Sequence, residues 1–378
     1  MKLINIKKNK AITDQISLCS FFNPDYIYIP IYDNQITLNK QKKIFKDSLI
    51  FSSSNIRSSV SGSVVKIDNF LVQKKLLPCL VIKNDYKEEK NLTLNKKEEY
   101  TKEYLFKCLK KLKYYNLIEL LKKDNVKTII FNTVQDEIYV KNKIIIFKEN
   151  VSLILDFLDY LKIFFNCLNN TIVVKNTDND IIEDCLNVIG TYPDITITLV
   201  KDYYLLGTKN GLLNYLKKKE EDVLYLDIVE VLEIANMFFY QKNDSTRFIT
   251  IYGDVLKQSL VLNVKKYCLI EEIISKYVFF NAKDVLFIAN SLLNGYEIDI
   301  SKTILTDDII SIGIMKKKKI KEYPCLNCGK CIEYCPVSID IIKCLKNNQT
   351  NKNCGNCGIC TYICPANITI HEKIKEEV

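Results

Sequence analysis

The chain is short of the residues on which many catalytic and nucleotide-binding sites depend. Its 378 residues include a single histidine, His371, in the carboxy-terminal tail. A nucleophile–histidine pair therefore has almost nothing to draw on, and a zinc centre with two histidines is excluded. His371 itself reads as an exposed surface residue. Of the ten glycines, none lies between Gly62 and Gly190. A loop that cradles phosphate needs backbone that tolerates φ > 0 and lets N–H groups approach the anion, so this stretch offers no such loop. The nearest glycine pair, Gly207-Thr-Lys-Asn-Gly211, reads as a plain turn. No uninterrupted apolar run reaches 18 residues, which excludes a transmembrane helix. The segment from Met1 to Lys10 is polar and has no secretory core.

Cysteine, by contrast, is plentiful and unevenly placed. Of fifteen, eight spell one pattern twice near the carboxy terminus: Cys325, Cys328, Cys331, Cys335-Pro336, then Cys354, Cys357, Cys360, Cys364-Pro365. This is the C-x₂-C-x₂-C-x₃-C-P spacing of bacterial ferredoxins with two [4Fe–4S] clusters, in which the fourth cysteine serves the other cluster. The expected ligand sets are Cys325, Cys328, Cys331 and Cys364 for one cluster, and Cys354, Cys357, Cys360 and Cys335 for the other. Zinc sites use two CxxC pairs or added histidine, and disulfide frameworks belong to small exported chains, so neither suits the pattern. Gly329, Gly355 and Gly358 between the ligands fit backbone that must pass close to inorganic sulfur. The other seven cysteines (Cys19, Cys79, Cys108, Cys167, Cys185, Cys268, Cys344) are scattered and read as buried free thiols in a reducing, cytoplasmic setting.

Lysine and arginine outnumber aspartate and glutamate 54 to 45, a net charge of +9. The abundance of Asn, Ile, Tyr and Lys points to an AT-rich coding bias, and no nucleic-acid-binding motif accompanies the charge. Only Lys316 to Lys319 is concentrated, and it reads as a solvated linker.

Periodicity divides the chain into four. Short alternating runs at Tyr26–Pro30, Leu49–Phe51, Val60–Ile67 and Leu80–Ile82 predict a small β-barrel or sandwich, with Ser61-Gly62-Ser63 at a turn. Val60–Asp68 has the look of the hammerhead of biotinyl and lipoyl domains, without a lysine at that turn to carry a cofactor. A helical period then spans Thr101–Lys123. It is followed by strand Val126–Phe131, helix Asn150–Phe165, strand Thr171–Lys175, helix Asp180–Ile189 and strand Ile195–Val200. That alternation predicts an α/β layer on a largely parallel sheet. From Arg247–Asp254 to Gly313, with a helix at Ile270–Tyr277, the order strand, turn, strand, helix, strand suggests a β-grasp-like module.

This order resembles the C-subunit family of the Rnf electron-transport complexes, and is similar to the relative associated with proline reductase. The resemblance rests on Val60-Ser-Gly-Ser-Val-Val-Lys-Ile-Asp68, on Val126 to Tyr139, on Arg247 to Val255 with Thr250, Gly253 and Asp254, and on the eight cysteines. It implies a multidomain α/β and β protein. The expected units are an N-terminal barrel-sandwich hybrid (1–88), a flavin-domain-like α/β layer (100–243), a β-grasp, SLBB-like module (244–313) and a two-cluster ferredoxin domain (318–378). The family holds FMN and NADH beside a glycine loop. Here the corresponding residues run from Leu109 to Leu121 without a glycine, and only Glu137 and Tyr139 line up with the family's acidic loop. No FMN- or NADH-binding position carries over, and no catalytic residue is identified.

The expectation is an iron–sulfur electron-transfer subunit of an Rnf-type, membrane-associated complex, passing single electrons through two [4Fe–4S] clusters. The alternative is a divergent FMN-dependent NADH:ferredoxin oxidoreductase subunit. Expected partners are other subunits of a redox complex or a soluble electron carrier, with membrane contact made through those subunits. The expected location is the cytoplasm or the cytoplasmic face of the membrane.

Overall fold

The computed structural model describes residues 4, 6, 12, 16–32, 43–51, 56–90, 99–122, 126–135, 137–166, 169–192, 194–242, 245–318 and 321–375. It is a mixed α/β structure with three sheets, followed by a carboxy-terminal region of short helices and loops. No described helix is long and apolar enough to cross a membrane.

The amino-terminal strands are β1 (Ile16–Phe22), β2 (Tyr26–Pro30), β3 (Lys43–Ile44), β4 (Gly62–Val72) and β5 (Lys75–Asn84). The last four form an antiparallel sheet in the order β2-β5-β4-β3. Its centre is buried on both faces. Ile27, Ile29, Leu80 and Ile82 pack with Val60 on one side, while Tyr28, Cys79 and Val81 meet Leu269 and Ile304 on the other. Two expectations fail here. Ser61-Gly62-Ser63 is not a hairpin tip: β4 starts at Gly62, pressed so closely on Lys83 that a Cβ would lie 1.9 Å from its carbonyl oxygen. The tip is Gln73-Lys74, at φ 49° and 67°, the left-handed pair that a two-residue hairpin turn requires. Leu49–Phe51 is not a strand either, since Leu49 makes only an isolated bridge to Arg57.

The next layer contains α1 (Lys102–Lys111), α2 (Tyr115–Lys122), β6 (Thr128–Asn132), α3 (Asn142–Phe165), β7 (Asn169–Lys175), α4 (Asn179–Ile189), β8 (Ile195–Val200), α5 (Lys209–Leu216), β9 (Val223–Asp227) and α6 (Ile228–Tyr240). The four strands are all parallel, in the order β8-β7-β6-β9. The expected single helix over Thr101–Lys123 is two. Thr101 caps the first through Tyr104 N, and Lys113 at φ 64° breaks the run. The bend turns Leu105 and Leu109 of α1 and Ile118 and Leu121 of α2 into one core. The expected helix start at Asn150 is instead a kink, because α3 begins at Asn142. There the Asn150 side chain donates to Ile146 O at 2.8 Å, competing with the helix ladder.

The third sheet comprises β10 (Thr246–Tyr252), β11 (Ser259–Lys265), β12 (Val285–Ala289), β13 (Tyr296–Glu297) and β14 (Ser311–Lys316), with α7 (Ile270–Tyr277) across it. The order is β1-β11-β10-β14-β12-β13, so β1 joins it in parallel with a strand more than 240 residues later. Ile270, Ile273 and Ile274 of α7 fill the core with Ile249, Ile251, Leu262 and Ile312. The carboxy-terminal helices are α8 (Lys330–Glu333), α9 (Ile341–Asn347), α10 (Ile359–Tyr362) and α11 (Ile370–Ile374).

Polar contacts bind these layers together. The wholly buried Lys265 donates to Ser59 O at 2.9 Å and pairs with Glu88, which also pairs with Lys46. Thr250 accepts from Lys141 N at 2.9 Å and donates to Asn142 at 2.7 Å, tying α3 to β10. Tyr28 donates to Glu272 of α7 at 3.3 Å.

Burial raises the Glu272 carboxyl to about 7, with nearby Asp25 and Glu271 adding to the rise. The folded protein thus favours the protonated carboxyl more than the unfolded chain does. Its stabilising contribution is full below the unfolded value near 4.5 and is lost as pH rises towards 7. Glu272→Gln should remove a stability loss of about 2 kcal/mol between these limits, partial exposure allowed for. Urea unfolding of both proteins at several pH values measures the difference.

Candidate metal centres

The two cysteine motifs are built alike. Cys354 repeats Cys325 at an offset of 29 residues (354 less 325), and the backbone repeats with it. Asn327 and Asn356 sit at φ 50° and 48°, Gly329 and Gly358 both at 74°, Ser338 and Asn367 at 55° and 54°. Each copy therefore passes through the left-handed region twice before its short helix, α8 or α10, and once after it. Asparagine and glycine tolerate that region best. Each glycine immediately precedes a helix bearing the third cysteine of its motif, and the fourth follows at the helix end.

This folding gathers the thiols across the repeat. A cavity of about 340 Å³ is lined by Cys325, Cys328, Cys331 and Cys364, with Ile342 and Leu345 among its apolar walls. A second, also about 340 Å³, is lined by Cys335, Cys354, Cys357 and Cys360, with Ile339 and Ile374. Each contains three thiols of one motif and the fourth of the other. Among the described residues no three His, Cys, Asp or Glu side chains converge tightly enough for one metal ion. The thiols instead surround a hollow.

Burial pushes the Cys360 thiol up to about 12, aided by the neighbouring Cys357 and Cys354, and Cys331 is raised by burial and then by Cys325 and Cys328. Cys357 is raised in the same way, with Cys335 and Cys354 adding to the effect of burial. Backbone donors of the first motif point at one sulfur of each cavity, from Asn327 N to Cys325 Sγ at 3.5 Å and from Ile339 N to Cys335 Sγ at 3.4 Å. Such a set favours a cation-bearing group that takes thiolates and keeps them together.

The halves differ in their surroundings. Cys325 and Cys328 are exposed. The second motif is docked inward: Tyr204 donates to Cys357 O at 2.9 Å, and a Cβ on Gly358 would lie 2.1 Å from Leu293 O. Neither Tyr204 nor Leu293 carries a signal in the sequence, since both contacts cross from distant segments. His371 departs from expectation. It is 5% exposed, lines the second cavity from α11, and its Nδ1 lies 2.8 Å from Thr361 Oγ1. Burial lowers its pKa. His371 lies three residues before Ile374, so it shares the inward face of α11 with that side chain.

Cys79, Cys108, Cys185, Cys268 and Cys344 are buried and form no disulfide; the side chain of Cys19 and all of Cys167 lie outside the described residues. Lys316 closes β14, Lys317 and Lys318 are exposed, and Lys319 lies outside the described residues. Gly207–Gly211 is a helix start: Thr208 caps α5 through Gly211 N at 3.2 Å. The carbonyls of Leu206 and Gly207 accept from Asn132 at the end of β6, and Tyr225 of β9 donates to Gly207 O at 2.9 Å. Thus the chain itself bridges the carboxyl ends of β6 and β9, the point at which strand order reverses and α/β sheets commonly receive ligands. Glu137 and Tyr139 face the third sheet, through Asn294 at 3.3 Å and a ring stack on Tyr252 at 5.4 Å. They also border an open cleft of about 650 Å³, solvent space included, with Lys175, Asp202 and Tyr204.

The sequence matches no protein-family model and no curated protein. Among solved structures, it is similar to a chain of an NAD+-reducing [NiFe]-hydrogenase in the H2-reduced state. The identity is 6% and the TM-score 0.45, over 53% of this chain and 43% of that one. A chain of an NAD+-reducing [NiFe]-hydrogenase in the air-oxidized state gives 6% identity and a TM-score of 0.43, over 67% and 57%. This chain spans about half the length of those two.

The two motif glycines differ in a way that can be measured. Gly329→Ala meets open space and bears only the left-handed strain, about 1 kcal/mol. Gly358→Ala adds a clash with the Leu293 backbone and should cost about 3 kcal/mol in all. Thermal unfolding and iron content of the two variants should show the second alone losing occupancy of its cavity.

Proposed function

We propose that this protein is an iron–sulfur electron-transfer subunit holding two [4Fe–4S] clusters. The observation that carries the reading is the exchange of the fourth cysteine between two thiol-lined cavities. Cys325, Cys328, Cys331 and Cys364 hold one group, and Cys354, Cys357, Cys360 and Cys335 the other. Bound there, each group supplies reversible one-electron chemistry. The chain's own part is to exclude water with Ile339, Ile342, Leu345 and Ile374, to direct N–H groups at sulfur, and to fix the spacing of the two sites. We place the protein with the C subunits of Rnf-type complexes, on the cytoplasmic side of a membrane and in contact with it through partner subunits. The four units expected from the sequence (1–88, 100–243, 244–313 and 318–378) remain our division of the chain, with the third read as SLBB-like and the last as ferredoxin-type.

The same reading assigns the α/β layer a scaffolding role. Between Lys102 and Lys122 two helices stand where the family has its glycine loop, with a side chain at every position. The crevice between β6 and β9 is bridged by Leu206 and Gly207. A second reading, a divergent FMN-dependent NADH oxidoreductase, draws on the open cleft of about 650 Å³ that reaches the second motif through Tyr204.

Two experiments test these assignments. Purified without oxygen, the protein should contain about eight iron and eight sulfide per chain. Cys335→Ser should perturb the group held by Cys354, Cys357 and Cys360; an EPR signature lost from the other group instead would refute the exchange. Titration with FMN and with NADH by calorimetry should show no stoichiometric binding, because neither phosphate finds converging backbone donors. A complex of micromolar or tighter affinity would favour the oxidoreductase reading.

A further inference from the structure

The two thiol cavities are copies of each other down to their walls. Each residue that borders one has a counterpart 29 positions along the chain that borders the other (371 less 342, as for the cysteines). A pair of positions departs from that symmetry in polarity. Where the first copy has Ile332 and Ile342, both packed on the small carboxy-terminal core, the second has Thr361 and His371. These two are bonded to each other. Thr361 Oγ1 accepts from His371 N at 3.0 Å and lies 2.8 Å from the ring's Nδ1. The hydroxyl thus holds one side of the ring. The other ring nitrogen, Nε2, is buried and has no hydrogen-bond partner among the described residues. His371 is 5% exposed and borders the cavity of Cys335, Cys354, Cys357 and Cys360. Cysteines apart, it is the one buried polar side chain on either wall among the described residues, since Lys330 is exposed. A buried N–H without an acceptor is costly, so this position calls for an acceptor inside the cavity.

We propose that His371 donates a hydrogen bond from Nε2 to sulfur in the second centre, and so holds that centre's potential above the value its burial alone would set. The inference rests on the iron–sulfur reading above and adds a residue that tunes one centre and not the other. The Thr361 hydroxyl accepts the His371 backbone N–H, and its own O–H, aimed at Nδ1, leaves the ring proton on Nε2. The negative charge on thiolate and inorganic sulfur selects the same tautomer, attracting an N–H and repelling a ring lone pair. Burial acts in the opposite sense: the reduced form carries one more negative charge and loses more by leaving water. A donor aimed at sulfur offsets that loss, most strongly in the reduced form. Ile342 gives the first centre no such donor, and there Cys325 and Cys328 meet water instead. In the step affected, one electron passes from the first centre to the second. The histidine keeps its proton, and no bond forms or breaks.

The test uses the full chain with its iron and sulfide assembled. Their content is measured first; a native chain that assembles neither overturns the iron–sulfur reading, and this inference with it. Because His371 is the single histidine, labelling histidine with a nitrogen isotope marks one ring. Pulsed EPR of the reduced protein should show hyperfine coupling to that label, and its absence overturns the hydrogen bond. In a dithionite redox titration followed by EPR, His371→Ile should lower the reduced-to-oxidised ratio of one centre about tenfold at fixed potential, or about 59 mV. The other centre should stay within about twofold. His371→Gln keeps a donor near the same place and should stay within about threefold of the native ratio. The reciprocal Ile332→Thr/Ile342→His should raise the ratio at the other centre about tenfold. Two assembled clusters with unchanged midpoints in His371→Ile overturn the tuning role and leave the electron-transfer reading standing. A shift in His371→Gln as large as in His371→Ile overturns it too, assigning the ring to packing alone. If His371→Ile fails to assemble its second cluster, the label and the reciprocal variant decide: no coupling and no shift reject the proposal, and both together support it.

Discussion

Everything at the carboxy terminus depends on one geometric demand: four thiols must meet around a hollow, and they must come from two copies of a motif. Neither copy can fold alone into a closed cavity, since each lacks its fourth wall. Cys364 completes the first set and Cys335 the second, so the halves lock each other in place. The matched left-handed residues at Asn327, Gly329 and Ser338, and at Asn356, Gly358 and Asn367, follow from that demand. Three thiols on so short a loop can face one point only if the chain reverses sharply between them. The small core of Ile339, Ile341, Ile368, Ile370 and Ile374 then fills the space between the halves.

Sequence legibility tracks the range of the interaction. The cysteine spacing is local and its sets are also neighbours in space. The α7 bounds, Ile270–Tyr277, coincide with expectation because an amphipathic period and its packing face agree there. The parallel order of β6, β7 and β8 likewise follows from strand–helix alternation. What stayed hidden lacked a local mark. Lys113 breaks a helix without glycine or proline, and Gln73-Lys74 turns a hairpin without Asn-Gly. Meanwhile the evident Ser-Gly pair marks a close approach of backbone to Lys83. No pattern within Ile16–Phe22 announces a partner at Ser259–Val264. A lone histidine in a charged tail reads as surface, yet His371 stands three residues before the buried Ile374 and so shares the inward face of α11. The Asp227-x-x-Glu230 capping box did mark the start of α6, a signal available from sequence.

The α/β layer fills its own crevice with protein. A parallel sheet with a reversal of strand order leaves a crevice at its carboxyl ends, and some group must satisfy the polar atoms exposed there. In a ligand-binding sheet a phosphate does so. Here Asn132 donates to Leu206 O and Gly207 O, and Tyr225 adds a third bond. The chain thus meets the need with its own carbonyls, and opening the crevice would take two acceptors from the Asn132 amide and leave it Tyr225 Oη, at a cost of about 1 kcal/mol. That cost weighs against any ligand which must displace the segment.

The cleft beyond this crevice has a different standing. Its walls are the loops after β6, β7 and β8, and Tyr204 links it directly to the backbone of the inward motif. Any shift of that wall is transmitted to Cys357 through one hydrogen bond, and on to the packing of Gly358 against Leu293. The inward centre is therefore coupled to the α/β layer through Tyr204 and to the third sheet through Leu293. Such an arrangement gives the two sites different rigidity and different solvation, and solvation is among the strongest settings of a cluster's potential. On the proposed reading, two clusters with the same ligand types would then differ in solvation, one of the factors that set a cluster's potential.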